Sequence, residues 1–194
     1  MTAEVDPDLL SRRLIGQAPP DIKLPWITYE DADKHDMLGD YARVSLAALA
    51  VRHLVVYFYP NEGLGDPAAD TLPNAFRDHD GAFSRLGVLS VGISTQTSLE
   101  QLEMAEANLL PPYQLSDRTL LLADDLELPT REIDGRDQYV SLVLTIINGR
   151  IARVFFPIGS PKGELGSIVD WVSQKLTSWH LTEQGAEHEA TNGK

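Results

Sequence analysis

The run His53-Leu-Val-Val-Tyr-Phe-Tyr59 constrains this chain more than any other stretch. It is apolar at successive rather than alternate positions, so as a strand it presents apolar side chains to both faces of a sheet and reads as buried. Pro60 ends the run, a Gly-, Pro- and Asp-rich loop follows, and Thr71-Leu-Pro-Asn-Ala-Phe-Arg-Asp-His79 opens a segment with helical character. Leu72, Phe76, Phe83 and Leu86 fall on one side of that helix, and Gly87 suits its C-terminal cap. A strand feeding a loop and then a helix N-terminus is a layout in which α/β proteins build sites.

The remaining elements follow from periodicity and punctuation. Ahead of the run, Pro7 to Leu14 predicts a short helix with Leu9, Leu10 and Leu14 on one face. Residues 16–40 read as an irregular lead-in with a short strand at Ile22 to Leu24, and Val44 to Ala50 as a turn of helix. Val88 to Ser94 predicts a second strand, and Thr97 with Glu100 a capping box opening a helix. In that helix Leu99, Leu102, Ala105 and Leu109 recur until Pro111 and Pro112 stop it. Tyr113 to Ser116 reads as a short strand, Asp117 as the cap of a short helix through Leu126, and Pro129 with Asp134-Gly135 as loop. Ser141 to Ile147 and Ile151 to Phe156 flank Asn148-Gly149, a strong signal for a tight hairpin. Leu165, Ile168, Val169, Val172 and Leu176 make the stripe of a last helix. This β-α-β-α, hairpin, α series predicts an α/β fold of thioredoxin type, a central mixed sheet with helices on both faces. Residues 1–15 form an arm, 16–180 one domain, and 181–194 an acidic and polar tail expected to be disordered.

Charge and composition narrow the function. A formal net charge of -13 repels phosphate backbones and anionic lipid, which sets aside nucleic acid and membrane surfaces and favours small molecules or proteins as partners. No apolar run reaches the roughly 18 residues of a membrane span, and the acidic start is unlike a signal peptide, so the cytoplasm is the expected location. With no cysteine the chain has no disulfide, thiolate nucleophile, Cys-based zinc site or iron-sulfur ligation. It also lacks a Gly-rich phosphate loop, a Gly-x-Ser-x-Gly elbow and a His-Glu-x-x-His element.

Val55-Val-Tyr-Phe-Tyr-Pro60, Phe76-Arg-Asp-His79, Gly92-Ile-Ser-Thr-Gln96, Leu115-Ser-Asp117, Leu128-Pro-Thr130 and Val154-Phe-Phe-Pro157 stand in register with the predicted elements. In that order they resemble a peroxiredoxin-like branch of the alkyl hydroperoxide reductase and thiol-specific antioxidant family, over residues 14 to 180. The resemblance implies a thioredoxin fold and a peroxidatic cysteine on the first turn of the helix after the Tyr-Pro strand. There, helix N-terminal amides and an arginine lower its pKa so that the thiolate attacks a peroxide. Counting back from Phe76, that cysteine falls at Ala69, a second cysteine at Asn74, and the arginine at Ser141. All three are replaced. A hydroxyl from Thr71 or Ser94 neither ionises near neutrality nor passes through a sulfenic acid, so no thiol peroxidase activity is expected.

The loop and the first helical turns carry acidic and polar residues where the resemblance implies an electropositive nest. Asp70, Asn74 and Asp78 are spaced i, i+4, i+8, with Asp66 and Thr71 nearby. They are either a solvated helix surface with Asp70 or Thr71 as cap, or a cluster that binds a cation or amine or supplies a general base. His79, between Asp78 and Asp80, is either an acid-base or metal element or a structural residue at the edge of the apolar face. The candidate catalytic set is therefore Asp70, Thr71 and His79. The candidate substrate-binding set is Pro60, Asp66, Asn74, Arg77, Asp78, Ser94, Thr95, Gln96 and Ser141, with Arg77 expected to pin loop to sheet through a carboxylate. His35 with Asp31, Asp33 and Asp36 lacks a ligand spacing and reads as a charged loop; no metal site is predicted and no cofactor is identified. Three readings stay open: a protein that binds and transforms a small molecule in the former peroxide pocket, as a biosynthetic tailoring enzyme does; a pseudoenzyme acting as a binding or assembly partner, with a homodimer as one form; and an oxidoreductase using a bound metal or flavin.

Overall fold

The structure, a computed structural model, describes residues 5–27, 42–111 and 113–191, with side chains as far as residue 179. In chain order the elements are α1 (Pro7–Leu14), β1 (Leu24–Ile27), β2 (Arg43–Val44), α2 (Leu46–Leu49), β3 (His53–Phe58), α3 (Leu72–Arg85), β4 (Val88–Ser94) and α4 (Ser98–Asn108). They continue with β5 (Gln114–Ser116), α5 (Leu121–Leu126), β6 (Thr130–Ile133), β7 (Arg136–Tyr139), β8 (Leu142–Ile147), β9 (Arg150–Phe155) and α6 (Pro161–Thr191).

The apolar run is β3, and it lies inside a mixed sheet of order β2-β1-β5-β4-β3-β8-β9. It pairs in parallel with β4 and antiparallel with β8. Its alternate side chains divide between two cores. Leu54, Val56 and Phe58 meet Leu10 and Leu14 of α1 and Leu122 and Leu126 of α5. Val55, Tyr57 and Tyr59 meet Phe76 and Phe83 of α3 and Leu165, Ile168 and Val172 of α6. A strand apolar on both faces thus receives helices on both faces, the α/β arrangement its sequence demands.

Several local expectations shift. β1 begins where the expected strand ends, because it pairs with β5 through Trp26 and Ile27, and Trp26 stacks on Tyr113 at 5.0 Å. In α1, Leu10 and Leu14 are buried at i, i+4 spacing while Leu9 faces water. In α4 the capping box forms as expected. However, Leu99 and Leu109 are exposed, and Gln101 and Asn108 take the inward positions. Leu109 adopts a left-handed φ of 53° and closes the helix before Pro111 is reached. Val44 belongs to a short strand, and Ser45 caps α2 by accepting from the Ala48 N–H. The stretch read as loop, from Pro129 to Asp134-Gly135, belongs to a hairpin of its own, β6 with β7, closed by Asp134 and Gly135 at φ 51° and 73°. Asn148 and Gly149 close the β8–β9 hairpin with the same handedness, at φ 53° and 71°. The backbone of α6 stays helical to Thr191, past the residue at which the sequence reading begins the tail.

Candidate functional site

The loop between β3 and α3 is held by polar groups of its own sequence. α3 begins at Leu72, three residues beyond Ala69, and its first backbone bond runs from the Ala75 N–H to the Thr71 carbonyl at 3.0 Å. A helix begun at Ala69 would need an N–H at position 73 to reach the Ala69 carbonyl, and Pro73 has none. That carbonyl instead accepts from Asn74 Nδ2 at 3.1 Å, and the Asp66 carbonyl accepts from the same nitrogen at 2.9 Å. Asn74, only 2% exposed, is a loop tether. Arg77 completes it: Nη2 donates to the Pro67 carbonyl and Nη1 to the Asn108 carbonyl, both at 3.3 Å, while Nε donates to Asp78 Oδ1 at 2.8 Å. Arg77 therefore pins the loop to the end of α4 through carbonyls, whereas the sequence reading expected a carboxylate and the sheet.

The acidic face read from the i, i+4, i+8 spacing does not form, because Asp70 precedes the helix, Asn74 turns inward and only Asp78 lies on the exposed surface. Asp70 caps another helix. Its Oδ2 accepts from the Ser160 hydroxyl at 2.9 Å and its Oδ1 from the Lys162 N–H at 2.7 Å, at the start of α6. Asp66 Oδ1 accepts from the Ala68 N–H at 2.8 Å, an Asx turn within the loop. His79 is half-buried, and its Nδ1–H donates to the Ala75 carbonyl at 3.0 Å one turn back on α3. Beside it, burial raises the Asp80 carboxyl pKa above the ordinary value. Asp70, Thr71 and His79 thus do not converge on one reacting position.

A cavity of about 330 Å³ remains at the junction, and Pro60, Asp70, Thr71 and Ser141 line it together with Glu62 and Arg131. The Thr71 hydroxyl is buried there without a hydrogen-bond partner. Arg131, on β6, pairs with Glu62. A guanidinium thus stands beside the cavity although Ser141 occupies the place expected for one. The sequence reading missed both Arg131 and Glu62. Arg131 sits in a hairpin whose strands, Thr-Arg-Glu-Ile and Arg-Asp-Gln-Tyr, lack apolar alternation.

Ser94, Thr95 and Gln96 sit at the carboxyl end of β4 and knit it to its neighbours. The fully buried Ser94 hydroxyl accepts from Gln101 Nε2 at 3.0 Å and donates to Gln96 Oε1 at 3.2 Å. The Gln96 carbonyl accepts from the Ser116 hydroxyl at 2.6 Å. Thr95 Oγ1 accepts from Asn61 Nδ2 at 3.3 Å, and the Asn61 N–H donates to Gln138 Oε1 at 2.8 Å. Thr95 and Asn61 also border a second, larger cleft of about 760 Å³ between the β4 and β5 ends and the β6–β7 hairpin. The buried Tyr59, which lines the smaller cavity, donates its hydroxyl to Gln114 Oε1 at 3.1 Å, and burial raises its pKa far above the ordinary tyrosine value. Tyr139 donates to Asp117 Oδ2 at 2.5 Å, and its pKa is likewise raised, first by burial and then by the Asp117 charge.

Among the described residues no group of three or more His, Cys, Asp or Glu side chains is placed to hold a metal ion. The cluster around His35 lies outside the described residues. Among the described residues no helix is long and apolar enough to cross a membrane.

No family profile matches the sequence, and no curated protein is found as a sequence relative. Solved structures do match. Peroxidoxin BcpB from Mycobacterium tuberculosis aligns at a TM-score of 0.62 with 21% identity, over 83% of this chain and 97% of that one. AhpC of the same organism aligns at 0.64 with 19% identity, over 83% and 96%. Enterococcus faecalis AhpC aligns at 0.62 with 18% identity, over 89% and 96%. At these identities the likeness shows the fold: a peroxiredoxin-like, thioredoxin-type architecture carried by a chain without cysteine.

Proposed function

We propose that this cysteine-free protein of peroxiredoxin-like fold binds a small polar molecule in the cavity at the vacated peroxidatic position and has no thiol peroxidase activity. The observation that carries the reading is the retained cavity of about 330 Å³, lined by Thr71 and Ser141 and by the paired Glu62 and Arg131. Ser141 in the cavity wall offers a polar ligand one point of attachment. The Glu62–Arg131 pair beside it gives a polar ligand a second point of attachment. Binding is favoured over transformation. The groups that would move protons are committed elsewhere, Asp70 to the α6 cap and His79 to the Ala75 carbonyl.

A thermal-shift screen of polar metabolites tests this, followed by calorimetric titration of each hit against Thr71→Val and Arg131→Gln variants. A hit that weakens about tenfold or more in either variant supports the site. Hits that bind both variants unchanged, or turnover of peroxide with thiol reductants above background, overturn the reading. A second reading, self-association, is favoured by β9, the last strand of the sheet, whose outer edge is met at Ile151 by the Gly16 and Gln17 backbone but by no further strand among the described residues. Light scattering on the eluting protein distinguishes dimer from monomer.

A further inference from the structure

β2 and β9 are the two edges of the sheet, and they differ in what they offer a further strand. β2 has two residues, while β9 has six. A long unpaired edge is a template for another chain, so natural sheets shorten, kink or cover it. β9 is kinked by the bulge opposite Thr145 and Ile146, and it is covered at one residue. The Ile151 carbonyl accepts from the Gly16 N–H at 2.8 Å, and the Ile151 N–H donates to the Gln17 carbonyl at 2.9 Å. Both backbone groups that Ile151 turns away from β8 are therefore taken by the chain's own N-terminal segment.

That segment is fastened so as to reach the edge. Leu10 and Leu14 root α1 in the core, and Arg13 secures its other side, with Nη1 donating to the Leu126 carbonyl at 2.7 Å and Nη2 to the Glu127 carbonyl at 2.8 Å. α1 ends at Leu14, and Gly16 turns the chain at a φ of 88°, which a side chain rarely permits. Gly16 is gripped from the strand as well, since Arg150 Nη1 donates to its carbonyl at 2.9 Å. Gln17 Nε2 reaches back to the Arg13 carbonyl at 2.7 Å and closes the turn. None of these residues lines the cavity at Thr71 or the larger cleft.

We propose that Gly16 and Gln17 are an edge guard: they hold the Ile151 end of β9 against strand addition, and on their release a second copy of this chain pairs its own β9 there. The seated Gly16–Gln17 backbone shows that these groups take an extended partner at hydrogen-bond distance. A second copy laid antiparallel brings the same groups in return, a two-fold pairing that leaves neither β9 edge open. The inference rests on the self-association reading and adds what limits it. With the guard in place, only the Arg153–Phe155 end of β9 is met by no backbone outside β8 among the described residues.

The test compares the full chain with a Gly16→Val, Arg150→Gln variant. A Cβ at position 16 meets nothing within 4 Å, so valine there strains the backbone turn without crowding the core. Light scattering over a concentration series reads association, and amide hydrogen exchange reads Ile151. In dilute solution the variant is expected to exchange the Ile151 amide about tenfold or more faster than the unaltered chain. It is expected to associate at about tenfold or more lower concentration, and to regain protection at Ile151 as it does so. If the double variant does not fold, Arg150→Gln alone serves, with the same signs and a smaller shift. Equal association of the two chains overturns the guard and leaves the self-association reading standing, whereas association of neither overturns both. An Ile151 amide unchanged in the dilute variant, or one still exposed once the variant has associated, also overturns the proposal.

Discussion

Gly92 shows what a single residue can fix. It lies in the middle of β4, where an added Cβ would fall 2.7 Å from both Cζ and Oη of Tyr57 and would also strike the Gln114 side chain. Tyr57 is held in turn, since Gln114 Nε2 donates to its hydroxyl at 2.9 Å and its ring lies 4.0 Å from that of Phe76. Gly92→Ala is therefore expected to destabilise the fold by about 1 to 3 kcal/mol, the usual cost of overpacking a closed core, as a lower midpoint in urea unfolding. Asp70 gives the opposite lesson. Its neighbours in sequence point to a cap for α3 or to a general base, but its partners are Ser160 and Lys162, some ninety positions away. Asp70→Ala is expected to cost about 1 kcal/mol of stability, as for other helix caps, in the same unfolding measurement.

At the scale of elements, legibility followed the strength of the local signal. β3 was readable as an unbroken apolar run, β4 from its Val, Leu and Ile content after Gly87, the α4 start from its capping box, and the β8–β9 hairpin from Asn148-Gly149. The β6–β7 hairpin carries an equally good turn at Asp134-Gly135, but its strands are mostly polar and only half exposed, so no period marks them. The start of α3 was readable only in part, since Pro73 fits a first helical turn and also forbids an earlier start. This bears on whether a thiol alone would restore the chemistry of the fold. Ala69→Cys places sulfur outside the helix, in a loop tied down by Asn74 and Arg77, without the helix N-terminal amides that depress a thiol pKa, and the Arg131 guanidinium lining the same cavity is neutralised by Glu62. The variant thiol is expected to titrate near about 8.5 and to react with hydrogen peroxide within about tenfold of free cysteine. Stopped-flow kinetics across pH give both quantities, and a thiol pKa below about 7 would contradict this account of the α3 start.

The response of the whole molecule to pH combines groups from both sides of the sheet. At the acid end Glu100 has a lowered pKa, chiefly because its carboxylate accepts from the Thr97 N–H. A depressed folded value means stability that is full above the unfolded carboxyl pKa and is lost as pH falls through the folded one. Asp80, raised by burial, runs the other way and is relieved by protonation, so it offsets part of that loss. No such offset is found at the alkaline end among the shifted groups of the described residues. Tyr59 and Tyr139 are both buried, and the pKa of each is raised. The unfolded chain releases these protons near about pH 10 while the folded chain still holds them, so stability falls with rising pH. Each tyrosine contributes a slope of up to about 1.4 kcal/mol per pH unit above that point. Urea midpoints measured between about pH 9 and 12 are expected to drop accordingly, and Tyr139→Phe to remove roughly half of the tyrosine contribution. Because Asp117 also accepts from the Leu121 and Leu122 N–H groups, that variant leaves its carboxylate with partners, and the change in slope reports the tyrosine rather than a broken cap. An unchanged slope in Tyr139→Phe would mean that the phenol ionises in the folded state as readily as in the unfolded one.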